Sequence, residues 1–247
     1  MKLAVINFSG NVGKTTVARH LLLPRIPDAE VVTIESINAD EAQVQALRGR
    51  QFAELQEYLQ IADNVIVDIG ASNVEDLLAL MKRYRGSHTD FDHFVVPTVP
   101  ALKQQQDTIA TLVELAQLGV PASKVHLVFN MLDETDEFSR TFDPVLSFLS
   151  AHPFAMAEPS SRLSSNEIYE LVKRTGMEIA ALRNDDTDYK ALIASAPDQA
   201  AKLTLARRLA MRRLASGVIP ELDACFASLG LSAAPVQHGQ AAKRKAA

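Results

Sequence analysis

The chain has 247 residues, of which 47% are hydrophobic and 22% are charged, with a formal net charge of −5. This composition is typical of one large folded domain, or of one domain with a small appendage, and it excludes wholesale disorder. The single cysteine, Cys225, excludes an intrachain disulfide and a cysteine-based zinc cluster, and no tract approaches the roughly 20 apolar residues that span a bilayer. We therefore expect a soluble protein of the bacterial cytoplasm.

Positive charge is concentrated near the C-terminus. Residues 200–247 contain eight lysines and arginines but only two acidic residues, Glu221 and Asp223, so this segment has a net charge of +6. The remainder of the chain has a net charge of −11. A basic segment attached to an acidic body is typical of a protein that contacts nucleic acid or an anionic membrane surface.

Short apolar runs alternate with segments of helical composition in the first half of the chain. The predicted strands are residues 3–8, 31–35, 64–69, 91–96 and 125–130. The predicted helices are residues 15–23, 39–62, 73–84 and 101–118, the second with an interruption at Gly49. Strands separated by helices of this length form βαβ units. We predict an α/β fold with a mostly parallel central sheet and helices on both faces.

The second half gives a less regular pattern. It predicts helices at residues 138–150, 167–174, 198–216 and 220–229, and a last core strand at residues 152–158. We expect a core domain over residues 1–180 and a helical extension over residues 181–231, packed on or beside it. The Ala-, Pro-, Gln- and Lys-rich residues 232–247 predict a disordered basic tail.

A phosphate-binding loop is predicted between the first strand and the first helix, where residues 8–16 read Phe-Ser-Gly-Asn-Val-Gly-Lys-Thr-Thr. Gly10 and Gly13 allow a turn whose backbone N–H groups point into one concavity, and the helix N-terminus adds partial positive charge. Lys14 can reach the β- and γ-phosphates, and the Thr15 hydroxyl can ligate Mg²⁺. The alternative is an ordinary glycine turn before a helix.

Asp68 closes the apolar run of the third predicted strand. This position would place a carboxylate at the C-terminal edge of the sheet, where ligands bind in such folds. Asp68 could hold an Mg²⁺-bound water, and Gly70 could donate its N–H to a γ-phosphate. A strand-terminal Asp is also a common turn residue or helix cap, but the adjacent phosphate loop favours the functional interpretation.

These segments resemble the deviant Walker A ATPases of the ParA/MinD superfamily. Their loop reads Lys-Gly-Gly-x-Gly-Lys-Ser/Thr, and Ser-Gly-Asn-Val-Gly-Lys-Thr at residues 9–15 aligns with it position for position. Residues 67–70 are similar to the second switch region, and residues 96–100 to the segment after the next core strand. Residues 128–130 are similar to the strand end whose asparagine recognises adenine. The resemblance extends over residues 1–180.

The resemblance implies a switch that binds ATP or ADP with Mg²⁺, hydrolyses ATP, and forms a nucleotide-dependent homodimer. It implies catalytic roles for Lys14 and Asp68, and Mg²⁺ ligation by Thr15 and Asp68; Glu35 is a candidate catalytic residue as a substitute for the aspartate discussed next. The implied nucleotide contacts are Ser9, Gly10, Asn11, Val12, Gly13, Lys14, Thr15, Thr16 and Asn130. Within the superfamily, residues 7–16 and 33–38 look most similar to plasmid-stability proteins. Conjugative plasmids encode these beside a DNA-binding partner, and they are linked to plasmid positioning and transfer.

Two positions depart from the superfamily pattern. The signature lysine, which reaches the partner's nucleotide in ATP-sandwich dimers, corresponds to Ser9, whose hydroxyl cannot neutralise phosphate charge. The aspartate that orients the attacking water is missing, since the corresponding first-switch residues are Glu35 and Ile37. Glu35, Asn38 or Asp40 could substitute for it. We therefore expect tight nucleotide binding with slow intrinsic hydrolysis.

Asn130 has two interpretations. A polar residue at a strand end is usually a turn former, whereas the resemblance implies adenine recognition. Residues 157–160, which follow the predicted last strand, could form the other wall of the base pocket. The histidines have no cysteine or acidic residue at metal-ligand spacing, so the sequence predicts no zinc site.

The basic part of the predicted helix at residues 198–216 has three interpretations. Its arginines are Arg207, Arg208, Arg212 and Arg213. They could be solvated on a surface helix, contact nucleic acid without sequence preference, or attach to an anionic membrane surface. Aromatic residues are not interleaved with them, which argues against stacking on single strands. We favour binding to duplex DNA.

Three functions are compatible with the sequence. The first is a switch ATPase that positions or transfers plasmid DNA with a DNA-binding partner, in association with the nucleoid or the membrane. The second is a metabolic enzyme on the same fold, such as a small-molecule kinase or a ligase similar to dethiobiotin synthetase. The third is a nucleotide-binding adaptor that does not hydrolyse. Fold alone does not choose among them.

Overall fold

The computed structural model describes residues 1–34 and 41–231, with side chains for all of these except residues 41–49. Six parallel strands form one sheet in the order β2-β3-β1-β4-β5-β6. The strands are β1 (Lys2–Val5), β2 (Glu30–Ile34), β3 (Val65–Ile69), β4 (His93–Thr98), β5 (Val125–Leu132) and β6 (Arg162–Ser164). The predicted parallel α/β fold is confirmed.

Ten α-helical segments lie among the residues that the structure describes. The first five are α1 (Lys14–Thr16), α2 (Glu41–Ile61), α3 (Val74–Arg83), α4 (Leu102–Gln117) and α5 (Phe138–Thr141). The others are α6 (Asp143–Ala151), α7 (Ile168–Thr175), α8 (Ile179–Arg183), α9 (Tyr189–Ser195) and α10 (Gln199–Ser228). None of the described helices is long and apolar enough to cross a membrane.

The side chains of β1 and of the next residue, Ile6, show how the sheet separates two apolar layers. Ala4 and Ile6 face the layer that contains buried residues of α2, α3, α4 and α6. Leu3 and Val5 face the opposite layer, which contains buried residues of α7, α8 and α10. All four side chains are fully buried, because alternate residues of a central strand point to opposite faces and both faces are covered.

Helix α1 continues without a break into a wider helical turn, Val17–Leu22. In that turn the N–H of Leu23 donates to the carbonyl of Ala18, five residues earlier rather than four. A short 3₁₀ turn, Leu23–Arg25, then ends the segment. The predicted helix at residues 15–23 is therefore present, but Pro24 lies inside its last turn.

Arg25 fastens the end of this segment to α10. Its guanidinium donates to the carbonyls of His20 and Leu21, at 2.9 and 3.0 Å. The same group forms an ion pair with Asp223 of α10 at 2.7 Å. Helix carbonyls that lack an α-helical partner are thus satisfied by a side chain that also reaches the C-terminal helix.

The predicted last strand at residues 152–158 is wrong. Only Met156 bridges to β5, opposite His126, and the sixth strand is instead Arg162–Ser164. Pro153 and Pro159 lie at the two ends of the predicted strand, and neither has an N–H to donate to a ladder.

Three helix predictions also change. The predicted helix at residues 138–150 is divided into α5 and α6 at Phe142, where a proline in the first turn of α6 starts a new helix. Helix α2 runs through Gly49 without interruption. The predicted helices at residues 198–216 and 220–229 are one helix, α10, because buried residues on both sides of Pro220 pack on the same layer.

Candidate functional site

The predicted phosphate loop joins β1 to α1 at the C-terminal edge of the sheet. Asn11 and Gly13 have φ values of 56° and 86°, so the backbone is left-handed at both positions. A Cβ atom on Gly13 would lie 2.1 Å from the Nδ2 atom of Asn130, whereas one on Gly10 would meet nothing within 4 Å. Position 13 therefore requires glycine for both its conformation and the space beside it.

Asn7 anchors the start of the loop. Its side chain is fully buried and donates to the Pro97 carbonyl and to the Thr108 hydroxyl, both at 2.8 Å. Its Oδ1 atom accepts the N–H of Ser9 at 2.7 Å. Asn7 was not among the predicted site residues; a polar side chain directly after an apolar strand was the available signal.

The Lys14 ammonium lies inside the loop. It donates to the carbonyls of Asn7 and Ser9, at 3.1 and 2.6 Å, and the residue is only 8% exposed. Burial lowers the pKa of Lys14 to about 8, against the opposing attraction of Asp68. The loop thus holds a cation whose loss of hydration is compensated by two carbonyls and one carboxylate, and negative phosphate oxygens would replace water here.

Thr15 and Asp68 meet at the same edge of the sheet. Asp68 lies on β3 opposite Val5 of β1, so its carboxylate is next to the beginning of α1. The Thr15 hydroxyl donates to Oδ2 of Asp68 at 2.7 Å. A hydroxyl and a carboxylate are hard oxygen donors of the kind that Mg²⁺ prefers, so this pair fits the ion that the sequence predicts.

Asn130 links β5 to the loop. Its Nδ2 atom donates to the Val12 carbonyl at 3.0 Å, and its Oδ1 atom accepts the N–H of Met131 at 2.9 Å. Met131 has a φ of 57° and is 42% exposed. The predicted adenine reader is therefore at the cleft, but its amide also fixes the position of the loop backbone.

A cleft of about 850 Å³ extends from the phosphate loop to α7. From the predicted set it is lined by Gly10, Asn11, Gly13, Lys14, Thr15, Thr16 and Asn130. Ser9 and Val12 contribute backbone carbonyls to Lys14 and Asn130, and Asp68 contacts Thr15. The structure brings these ten residues together; Glu35, Asn38 and Asp40 lie outside the described residues.

The far wall of the cleft differs from the prediction. Residues 157–160 are not part of it: Glu158 and Ser160 line a separate cavity of about 370 Å³ beside His126. Ser164, Ser165 and Asn166 take that place, since β6 rather than residues 152–158 is the last strand. Sequence reasoning missed further lining residues: Arg19 and His20 lie in the turn after α1, and Tyr169 and Lys173 lie on α7.

The end of β2 is connected to the segment after β3. The Ile34 carbonyl accepts the N–H of Gly70 at 3.0 Å and the Nδ2 of Asn73 at 3.1 Å. Residues 35–40, which contain the predicted first switch, follow directly after Ile34 in the chain. Gly70 and Asn73 are therefore hydrogen-bonded to the last described residue before the predicted first switch.

The four arginines of α10 are not equivalent. Arg207, Arg208 and Arg213 are exposed. Arg212 is half-buried, donates to the carbonyls of Asp185 and Thr187, and lies 5.1 Å from the centre of the Tyr189 ring. Arg212 thus holds the segment before α9, which leaves three arginines accessible to a partner.

Within the described part of the chain, no group of three or more His, Cys, Asp or Glu side chains could hold a metal ion. The Thr15–Asp68 pair has one carboxylate, so it would hold Mg²⁺ together with phosphate oxygens and water rather than by itself.

The fold is similar to that of McdA from Cyanothece. The apo structure of McdA matches with a TM-score of 0.53 and 13% identity, over 84% of this chain and 98% of McdA. A structure of an McdA variant in complex with ATP matches with a TM-score of 0.45 and 13% identity, over 95% of this chain and 98% of McdA. No protein-family model and no curated protein match the sequence. The chain therefore has the α/β fold of McdA.

Proposed function

We propose that this chain is a nucleotide-dependent switch of the ParA/MinD type that binds ATP with Mg²⁺ and hydrolyses it slowly. One observation carries the proposal: the Lys14 ammonium and the Thr15–Asp68 pair meet at the mouth of a loop whose shape depends on Gly13. This arrangement suits a polyphosphate, because one cation, a helix N-terminus and a Mg²⁺ donor pair converge there.

Each group has a distinct role in this proposal. Lys14 would neutralise charge on the terminal phosphates, and Thr15 and Asp68 would hold Mg²⁺, which draws charge from the same oxygens. Gly70 would sense the γ-phosphate through its N–H, which in this structure is donated to Ile34. Ser9 adds no cation, so one chain alone stabilises the transition state weakly and hydrolysis is slow.

We further propose that the switch acts in plasmid stability, in the manner of the plasmid-stability protein StbB, together with a plasmid-encoded DNA-binding protein. Residues 7–16 and 33–38 support this through their resemblance to that protein. The exposed Arg207, Arg208 and Arg213 would give the switch a surface for non-specific DNA. ATP would change either the oligomeric state or the exposure of this surface.

Size-exclusion chromatography with ATP, with ADP and without nucleotide, each with and without plasmid DNA, tests the switch. We expect the elution volume or the DNA-bound fraction to differ between ATP and ADP, with little free turnover. Lys14→Ala should abolish the difference. Lys82→Ala is the matched control, since Lys82 forms a surface ion pair with Glu114 away from the loop.

Turnover of several ATP per second without any partner would contradict slow hydrolysis. Insensitivity to DNA combined with ATP consumption only in the presence of one metabolite would instead indicate a metabolic enzyme. An identical elution profile in all nucleotide states would exclude a change in oligomeric state as the output.

A further inference from the structure

The cleft contains an arginine that the predicted phosphate loop does not include. Arg19 lies one helical turn after Thr15 and Thr16, and all three side chains line the cleft. Arg19 belongs to the wide turn Val17–Leu22 that continues α1. It therefore shares the cleft with the loop at which phosphate groups would bind.

Arg19 has no acidic partner among the residues that the structure describes. It is exposed, and no described carboxylate forms an ion pair with it. The cation on the opposite wall, Lys173, differs in this respect because it lies 3.9 Å from Glu170. An unpaired guanidinium at the rim of a cleft can offer two parallel N–H donors to one phosphate.

The neighbouring His20 adds no second charge. Burial, followed by the repulsion of Arg19, lowers the pKa of His20 to about 4, so its ring is neutral near pH 7. The ring lies 6.2 Å from that of Tyr169, between centroids, and so joins the wide turn after α1 to α7. Arg19 is thus the positive charge of this wall, and His20 is an uncharged surface beside it.

The groups already assigned in the cleft leave one phosphate without a cation. Lys14 and the Thr15–Asp68 pair mark the end for the terminal phosphates, and Asn130 marks the strand end where the base is expected. The phosphate next to the sugar has no cation from these groups, and Arg19 lines the same cleft.

We propose that Arg19 binds the phosphate nearest the sugar of a bound nucleotide, the α-phosphate. This inference rests on the proposed function, since it requires a nucleotide in the cleft. It also means that the charge missing at Ser9 is supplied within the same chain, at a different phosphate, so that tight binding does not need a second subunit.

Isothermal titration of Arg19→Gln with ATP, ADP, AMP and adenosine tests the assignment. We expect the affinities for the three phosphorylated ligands to fall by the same factor, about 10-fold or more, and that for adenosine to stay unchanged. Arg19→Lys should recover part of the loss. Arg83→Gln, an exposed arginine on α3 outside the cleft, is the matched control.

Two results would overturn the assignment while leaving the proposed function intact. The first is unchanged affinity of Arg19→Gln for all three phosphorylated ligands while Lys14→Ala abolishes ATP binding. The second is an equal loss for adenosine, which would place the effect on the shape of the cleft. Failure of the unaltered protein to bind any of the four ligands would overturn both proposals.

Discussion

At position 13 the backbone has a φ of 86°, and the space that a methyl group would occupy is filled by the Asn130 amide. We expect Gly13→Ala to lower the free energy of unfolding by about 1–3 kcal/mol, because a left-handed alanine is strained and Asn130 must give up its bond to Val12. Nucleotide binding should be lost with it. Urea denaturation and nucleotide titration measure the two effects.

Gly10→Ala is the matched control for this prediction. Nothing lies within 4 Å of a Cβ at position 10, and no left-handed φ is required there. We expect the free energy of unfolding to change by less than about 0.5 kcal/mol. Equal losses in the two variants would show that the Asn130 contact does not constrain the loop.

Lys14 predicts a pH dependence of nucleotide binding. Its pKa is about 8 in the free protein because of burial, and a bound polyphosphate would raise it. Binding should therefore take up a proton: almost none at pH 6.5, about half a proton at pH 8, and more above. Affinity should fall as the pH rises from 7 to 9.5. Calorimetric titration in buffers of different ionisation enthalpy measures the uptake.

The lowered pKa of Lys14 also affects the stability of the free protein, and there a rise in pH is favourable rather than unfavourable. The pKa of Lys14 is lower when folded than its usual value of 10.5, so the unfolded chain binds more protons between pH 8 and 10.5. This group therefore adds stability as the pH rises through that window.

The control for the calorimetric prediction is Lys14→Met. If nucleotide binding to this variant still takes up the same number of protons, the titrating group is another residue.

On the scale of secondary-structure elements, Arg212 connects α10 to the segment that precedes α9. Its two hydrogen bonds reach the carbonyls of Asp185 and Thr187, at 2.8 and 2.7 Å, and its guanidinium lies over the Tyr189 ring. We expect Arg212→Ala to reduce the free energy of unfolding by about 1–3 kcal/mol. Arg213→Ala, at an exposed position, should have almost no effect. Thermal denaturation of the pair compares them, and equal melting temperatures would contradict the structural role.

Some elements could be predicted from the sequence because their signal is local. The strands β1, β3, β4 and β5 are apolar runs, and parallel strands buried on both faces need no other pattern. Helix α3 also has a strongly one-sided apolar face. The boundaries differ by a few residues because hydrogen bonds to neighbouring strands, which the sequence does not contain, decide where a strand ends.

Other elements depend on contacts between distant residues. Strand β6 has three residues and begins with Arg162, so it has no apolar pattern and exists through its pairing with β5. Helices α8 and α9 have five and seven residues, too short for a helical period to stand out. The continuity of α10 through Pro220 likewise comes from packing on the sheet, which outweighs one lost hydrogen bond.

The residues of the candidate site also differ in whether their signal is local in the sequence or depends on contacts between distant residues. The phosphate loop is a continuous segment, so its residues could be identified from their order alone. Asp68 was identified because it is a carboxylate next to the end of an apolar strand. Tyr169 and Lys173 could not be identified from the sequence, because α7 reaches the cleft only through the chain connection after β6. Asn7 lies between these two cases. Its place beside an apolar run can be read from the sequence, but its hydrogen bonds to Pro97 and Thr108 come from tertiary packing.

On the scale of the whole molecule, the basic surface lies on the part of α10 that packs least. None of residues 199–210 is buried, whereas Met211 and several later residues are. Leu203 is 50% exposed, and Leu192 of α9 is 44% exposed. The first turns of α10 thus extend beyond the core with three accessible arginines nearby, which is the geometry expected of a contact surface.

We expect the triple variant Arg207→Ala, Arg208→Ala and Arg213→Ala to lose retention on duplex DNA, since each neutralised phosphate contributes a salt-dependent term. In the unaltered protein, retention should depend on nucleotide and disappear above about 0.3 M salt. Gel-shift titrations at several salt concentrations measure this. Binding of both proteins to vesicles with anionic lipids is measured in parallel. If the triple variant loses vesicle binding but keeps its DNA retention, the arginines contact a membrane instead.

The ion pair between Arg25 and Asp223 has a mechanical consequence. It holds the buried part of α10 to the segment that begins at the phosphate loop, whereas no described ion pair involves the part before Met211. That part rises about 18 Å from Met211 to Gln199, at 1.5 Å per residue. A rotation of about 10° about Met211 would therefore move Gln199 by about 3 Å.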